Sequence, residues 1–258
     1  MYQPFPLTNE LLLRYLQNLS IKLKYSTIRR HLVSIQKLNA LLGHPRPAES
    51  EILKLELRRI RRAKAGRPKQ AHGINLGLLT RAIDAQPSTL IGIRNKAVLS
   101  LGYDFLARRS ELTALRVGDV ERQQDGTLRG IIRRSKTDQF GRGRLVFGSR
   151  RSAILLGDWM KNKPDEIDWL FCAMSSGCCI DRPLCGRSVS NIIKKSIVSL
   201  KGERPRDHEI SGHSLRVGAA QDLLTNGHDT VAIMRAGGWS SLNSVISYLR
   251  EAEHNIWS

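Results

Sequence analysis

The stretch "ISGHSLRVGAAQDLL", residues 210–224, sets His213 and Arg216 three positions apart where an apolar helical pattern begins. Residues three apart share a helix face. At a helix start, unpaired backbone N–H groups and the helix dipole already favour an anion. Other donors lie elsewhere in the chain. Arg108 opens "RRSEL" straight after the apolar "LSLGYDFLA", and Lys136 lies on the turn "SKTDQFGRG". Trp239 follows "AGG", and Tyr248 comes nine residues later, in a segment whose Leu242, Val245, Ile246 and Leu249 form an apolar side. Two guanidinium groups, an ammonium, an imidazole and an indole N–H are all donors. If they converge, they form a site for a phosphate that gains charge during reaction. Taken singly, each also fits a plain structural role: a cationic surface pair, a core tryptophan, a half-buried helix tyrosine.

The charge balance makes convergence on a polyanion worth pursuing. The 258 residues carry 42 Lys and Arg against 23 Asp and Glu, a formal net charge of +19. Hydrophobic residues make up 41%, enough for a folded core rather than a disordered basic tail. A folded chain this basic points to nucleic acid rather than an anionic membrane, since neither a basic amphipathic anchor nor an apolar run of membrane-spanning length is present. The start, "MYQPFPLTNE", shows no secretory signal. Residues 51–70, "EILKLELRRIRRAKAGRPKQ", hold eight Lys or Arg against two acids, a density suited to phosphate backbone contact. Cys172, Cys178, Cys179 and Cys185 match no usual zinc spacing and read as reduced thiols. With no GxGxxG, Walker loop, HExxH or GxSxG, the sequence calls for no cofactor and no metal. Its chemistry must come from ordinary side chains.

The elements that must position these groups are mostly helical. "LTNELLLRYLQNL" opens with Thr8 as N-cap. "YSTIRRHLVSIQKLNALLG" sets Ile28, Leu32, Ile35, Leu38 and Leu42 on one face with Gly43 as its stop, leaving Arg29, Arg30 and Lys37 off that face. "PRPAESEILKLELRRIRRAK" reads as a turn and a third helix, and the Gly, Pro and charge of "AGRPKQAHG" read as a linker. The expected division is a short helical domain at 1–66, a linker at 67–72 and a larger domain at 73–258. In the larger domain "LGLLTRAIDAQ" and "LIGIRNKAVLSLGYDFLA" predict helices, and "RSELTALRVGDV" continues helically before a turn. "VGDVER", "TLRGIIRR" and "RLVFG" predict one small antiparallel sheet, and from residue 150 onward the pattern is mostly helical. The fold class is mainly α with a small antiparallel β-sheet (α+β).

"RRSEL", "SKT", "GHSLRVGAA" and "AGGWSSLNSVISYL", in this order and spacing, resemble the tyrosine recombinases, the phage-type integrases, from about residue 20 to residue 250. The resemblance implies a helical core-binding domain and a catalytic domain that cleaves and rejoins DNA to integrate, excise or resolve a mobile element. It implies that Arg108 and Arg216 clamp the scissile phosphate and that His213 lies beside it. Trp239 takes a position that is His or Trp in the family, Lys136 is the hairpin lysine, Tyr248 the nucleophile and Glu111 a supporting carboxylate. The family's arginine stands three before that Glu, which selects Arg108 over Arg109. Ser26, Thr27 and Arg30 resemble a major-groove helix, and Arg187 a base-reading arginine, while Lys194 and Lys195 read as phosphate contacts.

The chemistry is coherent in its own terms. A tyrosine hydroxyl, pKa near 10, attacks poorly unless a base takes its proton or cations favour phenolate. His213 can do the first and the two arginines the second. Charge built on the non-bridging oxygens meets Arg108, Arg216, His213 and the Trp239 indole N–H, and Lys136 can protonate the leaving 5′-oxygen. A 3′-phosphotyrosyl bond keeps the energy of the phosphodiester, so neither ATP nor metal is needed. The implied partner is double-stranded DNA at a specific site, without a membrane or small-molecule substrate, in a cytoplasmic setting. Family members carry a further helix before the segment resembling "FPLTNELLLRYL", and often a C-terminal helix that docks on the next protomer. Here Met1 lies a few residues upstream, and Ile256 and Trp257 are the anchors after Tyr248. A homotetramer weakened at its N-terminus is therefore expected. A type IB topoisomerase-like nicking and closing enzyme, and a DNA-binding protein that forms no productive synapse, are the alternatives.

Overall fold

The computed structural model describes residues 7–44, 50–64, 70–134, 141, 143–202 and 204–249. The chain divides into two compact units, Met1–Lys69 and Gln70–Ser258.

Among its described residues the first unit holds three helices: α1 (Asn9–Lys22), α2 (Tyr25–Leu41) and α3 (Glu51–Ala63). Thr8 Oγ1 accepts from the Leu11 amide at 3.2 Å and Ser50 Oγ from Leu53 at 3.3 Å, so each of those two helices begins at a hydroxyl cap. Leu12, Leu16, Ile28, Leu32, Leu53 and Ile60 close the small core. The apolar face read on α2 holds for Ile28, Leu32 and Ile35, but Leu38 and Leu42 are 45% and 50% exposed. Asn39 is buried instead, because the helical stripe drifts past Leu38 before Gly43, at φ +73°, ends the turn. On α3 the cations Lys54, Arg58, Arg59, Arg61 and Arg62 all face solvent.

The second unit is built around α5 (Leu90–Asp104), preceded by α4 (Leu76–Asp84) and packed on α7 (Arg150–Asn162) and α9 (Ser214–Thr225). Every residue of α5 from Ala97 to Tyr103 is buried, the pattern of a helix surrounded on all sides. The helix and turn read in "RSELTALRVGDV" both form, but the helix does not run on from α5. The chain breaks after Asp104, with Leu106 in the left-handed region at φ 45°, and restarts as a short α6 (Arg109–Ala114), followed by a single 3-10 turn at Val117–Asp119. Strands β1 (Val120–Arg122), β2 (Leu128–Ile132) and β3 (Arg144–Gly148) pair antiparallel in that order, with Gly130 opposite Val146 and Ile132 opposite Arg144.

Past residue 150 the helical reading missed a hairpin. β4 (Cys172–Ser175) and β5 (Cys178–Pro183) pair across a two-residue turn, Ser176–Gly177, with φ of 48° and 83°. Both central residues at positive φ match the twist of a tight hairpin, and Ser-Gly is a turn signal the cysteines obscured. Cys172 is buried, Cys178 and Cys185 are exposed, and all four thiols are free. The chain continues through α8 (Gly186–Val198), α9, α10 (Thr230–Gly237) and α11 (Leu242–Leu249). The fold is thus mainly α with small antiparallel sheets. Among the described residues no helix is long and apolar enough to cross a membrane.

Candidate active site

Of the His213–Arg216 pair, only the arginine is buried. Arg216 lies in the first turn of α9 and is 1% exposed, while His213 is the residue before that helix and keeps an exposed edge. Burying a guanidinium requires partners for its N–H groups. Arg216 Nη1 donates to the Leu106 carbonyl and Nη2 to the Gly237 carbonyl at 2.7 Å, whereas Nε, also buried, has no partner among the described residues. The left-handed turn at Leu106 aims its carbonyl at the arginine, a strained conformation of order 1–3 kcal/mol that the surrounding core holds in place.

Three arginines converge on one helix end. The Ala236, Gly237 and Gly238 carbonyls, at the C-terminus of α10, accept respectively from Arg144, Arg216 and Arg108, the last at 3.4 Å. These carbonyls carry the negative end of the helix dipole and lack intrahelical donors, so cations belong there. The glycines of "AGG" let the groups approach. A Cβ on Gly237 would lie 1.9 Å from the Trp239 ring, and one on Gly238, at φ +63°, 2.7 Å from Arg144.

Glu111 ties two of the arginines together. Its carboxylate, 2% exposed, takes Arg108 Nη1 at 2.5 Å and Arg144 Nη2 at 3.1 Å, and also accepts the Arg108 backbone N–H at 3.0 Å. The spacing Arg108–Glu111 is therefore a helix-start device as well as an ion pair, with the carboxylate reaching back to the residue before α6. Arg144 was not singled out in the sequence. It is one of 42 Lys and Arg, at a strand start with no motif around it, and only the fold shows it reaching Glu111, Ala236 and the Phe105 carbonyl.

Trp239 joins the cations to the tyrosine. The Arg216 guanidinium lies 3.9 Å from the Trp239 ring centroid, and the Tyr248 ring meets Trp239 edge-on at 5.1 Å, with the Tyr248 ring 5.8 Å from the same guanidinium. Of the apolar side read on α11, only Val245 is buried; Leu242 and Ile246 are about half exposed at 50% and 49%. Burial pushes the Arg216 pKa down to about 10, with Arg108 adding repulsion and Glu111 opposing it. Desolvation also lowers the His213 pKa, and Arg109, Arg216 and Arg108 push it in the same direction. Arg109 itself is exposed, donates to Ser190 Oγ at 2.8 Å and packs over Gly212, beside His213.

Arg108, Glu111, His213, Arg216, Trp239 and Tyr248 are therefore brought into one neighbourhood by α6, α9, the end of α10 and α11. Lys136 lies outside the described residues, as do Ile256 and Trp257. Arg187, Lys194 and Lys195 lie on the exposed side of α8, away from the buried Val189, Ile192, Ile193 and Ile197. In the first unit Ser26 and Arg30 are exposed on α2, and Arg30 donates to Thr27 Oγ1 at 3.4 Å.

The family model for the phage integrase family matches residues 78–255, which spans the whole of this site. The chain belongs to the phage integrase family. It is thus a tyrosine recombinase, an enzyme of the DNA strand-transferase class. It is 30% identical over 257 residues to the recombinase Cre of Escherichia phage P1, covering 93% of this chain and 74% of that protein. It is 27% identical to the integrase/recombinase XerD homolog of Selenomonas ruminantium, covering 95% and 74%. Among solved structures it shares the fold of the Tn1549 transposon integrase in complex with circular intermediate DNA, at a TM-score of 0.67, 14% identity and coverage of 99% and 84%. It also shares the fold of the XerH site-specific recombinase bound to difH substrate in a pre-cleavage complex, at 0.64, 18% identity and coverage of 94% and 66%.

Proposed function

We propose that this recombinase breaks and rejoins duplex DNA at a specific site through a 3′-phosphotyrosyl intermediate formed on Tyr248. The observation that carries this reading is the stack of Arg216, Trp239 and Tyr248, which sets the tyrosine ring near a buried cation whose Nε–H has no partner among the described residues. The Tyr248 oxygen attacks phosphorus, its proton passes to His213, and the bond to the 5′-oxygen breaks as that oxygen takes a proton from Lys136. Religation reverses each transfer. Arg108 and Arg216 hold the charge that develops on the non-bridging oxygens, and the Trp239 N–H adds a donor. Two of the five Arg216 donors already serve carbonyls, so its part is largely fixed charge aimed beforehand by the fold. The lowered His213 pKa keeps the imidazole neutral at pH 7, the form that accepts a proton.

Duplex DNA as partner fits the charge of +19, the exposed cations of α3 and α8, and the DNA present in the structures of the Tn1549 integrase and XerH. The first unit serves as the core-binding domain, with Ser26, Thr27 and Arg30 facing the groove, and Arg187 reads bases while Lys194 and Lys195 hold phosphates. The second unit is the catalytic domain, Glu111 supports its arginines, and a homotetramer on DNA in the cytoplasm performs the exchange.

The test uses a library of nicked duplexes with randomised arms, incubated with the protein and then denatured to capture covalent adducts. Wild type should yield adducts on a defined sequence, and Tyr248→Phe none. An absence of adducts from wild type on every duplex rejects the reading, and adducts from Tyr248→Phe reject the nucleophile.

A further inference from the structure

Two amide side chains from outside α11 bind the backbone of Tyr248 itself. The Tyr248 carbonyl accepts Gln70 Nε2 at 2.8 Å and Gln221 Nε2 at 3.3 Å. Side-chain donors on a helix carbonyl restrain where that turn of backbone sits. The segment that brings Gln70 is itself tied down. The His72 amide donates to the Glu209 carbonyl and the Ile74 amide to Ser214, both at 2.9 Å, although composition reads residues 67–72 as linker. Ile74 lies against α9 so closely that a Cβ on Gly218 would come 1.9 Å from its carbonyl oxygen. Gln221 is one turn further along α9 and is confined from the other side, since a Cβ on Gly73 would meet its Oε1 at 2.1 Å. Neither glutamine was marked by any motif.

We infer that Gln70 and Gln221 are positioning residues for the strand-cleavage step, a two-amide clamp that sets the depth at which α11 presents the Tyr248 hydroxyl. The inference rests on Tyr248 being the nucleophile. Among the described residues α11 buries only Val245 fully, with Tyr248 and Leu249 partly buried against the core, so backbone restraints add to a limited packing contact in setting its height over Trp239. The clamp supplies that restraint through the backbone of the reacting residue itself. Misplacing an attacking atom by about 1 Å lowers the rate on the order of 100-fold without weakening ground-state binding.

The test compares wild type with Gln70→Leu, Gln221→Met and Gln221→Glu, on the duplex captured in the adduct experiment. Single-turnover adduct formation should fall roughly 10- to 100-fold while Kd for the duplex stays within about threefold. For Gln221→Glu the rate relative to wild type should recover as pH falls through the carboxyl range, because the protonated acid regains a donor. In parallel, nitration of Tyr248 by tetranitromethane, mapped by mass spectrometry with Tyr15 as internal reference, should accelerate in the variants. Adduct rates within about twofold of wild type overturn the clamp whatever the nitration shows, and so does a fall in rate matched by an equal fall in binding. If wild type forms no adduct, it is the nucleophile reading that fails. Nitration then decides the clamp alone, with faster modification supporting it and an unchanged rate rejecting it.

Discussion

Glu111 and Arg144 meet at 3.1 Å in the interior of the second unit, between a helix start and a strand start 33 positions apart in the chain. The same carboxylate holds Arg108, so one buried negative charge organises two of the three guanidinium groups at the end of α10. Glu111→Ala leaves two largely buried cations facing each other. Removing one partner of a buried pair costs about 3–5 kcal/mol. The expected result is a large drop in urea midpoint with unchanged m-value, and loss of adduct formation. Glu111→Gln keeps the shape and one acceptor and should lose less of both.

With His213 as the proposed base, its titration should set the acid limb of the pH profile. Desolvation, Arg109, Arg216 and Arg108 all lower its pKa from 6.5, so the neutral base persists below that value. Adduct formation should rise with pH through a midpoint below 6.5 and then level off. Arg109→Ala removes one source of repulsion, so the midpoint should move to higher pH. The sign for stability follows from the same shift. The unfolded chain binds the proton more readily than the folded one, so protonation of His213 destabilises the fold as pH falls below about 6.5.

Trp239 combines a ring contact with a donor, and two substitutions separate them. Trp239→Phe keeps a ring for Arg216 and Tyr248 to pack on but lacks the indole N–H. If that N–H stabilises the developing charge, its loss should slow cleavage by on the order of 100-fold with little change in thermal stability. Trp239→Ala removes the packing surface as well and should also lower the melting temperature.

Gly237→Ala probes the close approach at the end of α10. The added methyl would fall inside the Trp239 ring, 1.9 Å from one of its carbons, so the indole must move. The expected readout is a shift in tryptophan fluorescence together with loss of adduct formation, while duplex binding through the exposed cations of α8 persists.

Exposed cations make a separate, additive prediction. Arg187→Ala should relax sequence preference at one base position at a cost of about 1–3 kcal/mol, whereas Lys194→Ala should weaken binding evenly and reduce the salt slope by about one unit. Binding isotherms at several salt concentrations on the captured duplex and on scrambled duplexes distinguish the two.

Residue types and spacing alone determined a good deal. The Thr8 cap, the Gly43 stop, the antiparallel order of β1, β2 and β3, and the break of the chain into a small and a large helical part all follow from local rules of capping, periodicity and turn chemistry. The motifs "RRSEL", "SKT", "GHSLRVGAA" and "AGGWSSLNSVISYL", which carry Arg108, Glu111, Lys136, His213, Arg216, Trp239 and Tyr248, pointed to the family by resemblance. Other features depend on what packs against them. Whether Arg216 is a surface charge or a buried one is decided by what packs around it, with the Gly237 carbonyl of α10 and the Leu106 carbonyl accepting from it. Leu38 and Leu42 carry the same hydrophobic label as Leu32, but no described element of the first unit covers them. The β4–β5 hairpin was hidden because its cysteines suggested chemistry where the Ser176–Gly177 turn dictated geometry. Arg144, Gln70 and Gln221 act through partners 33, 178 and 27 positions away, distances at which no local pattern carries information. Local sequence therefore determined which donors exist and which helices carry them. Only the tertiary structure decided that they face one another, because convergence is set by burial and by which backbone groups remain unpaired at helix ends.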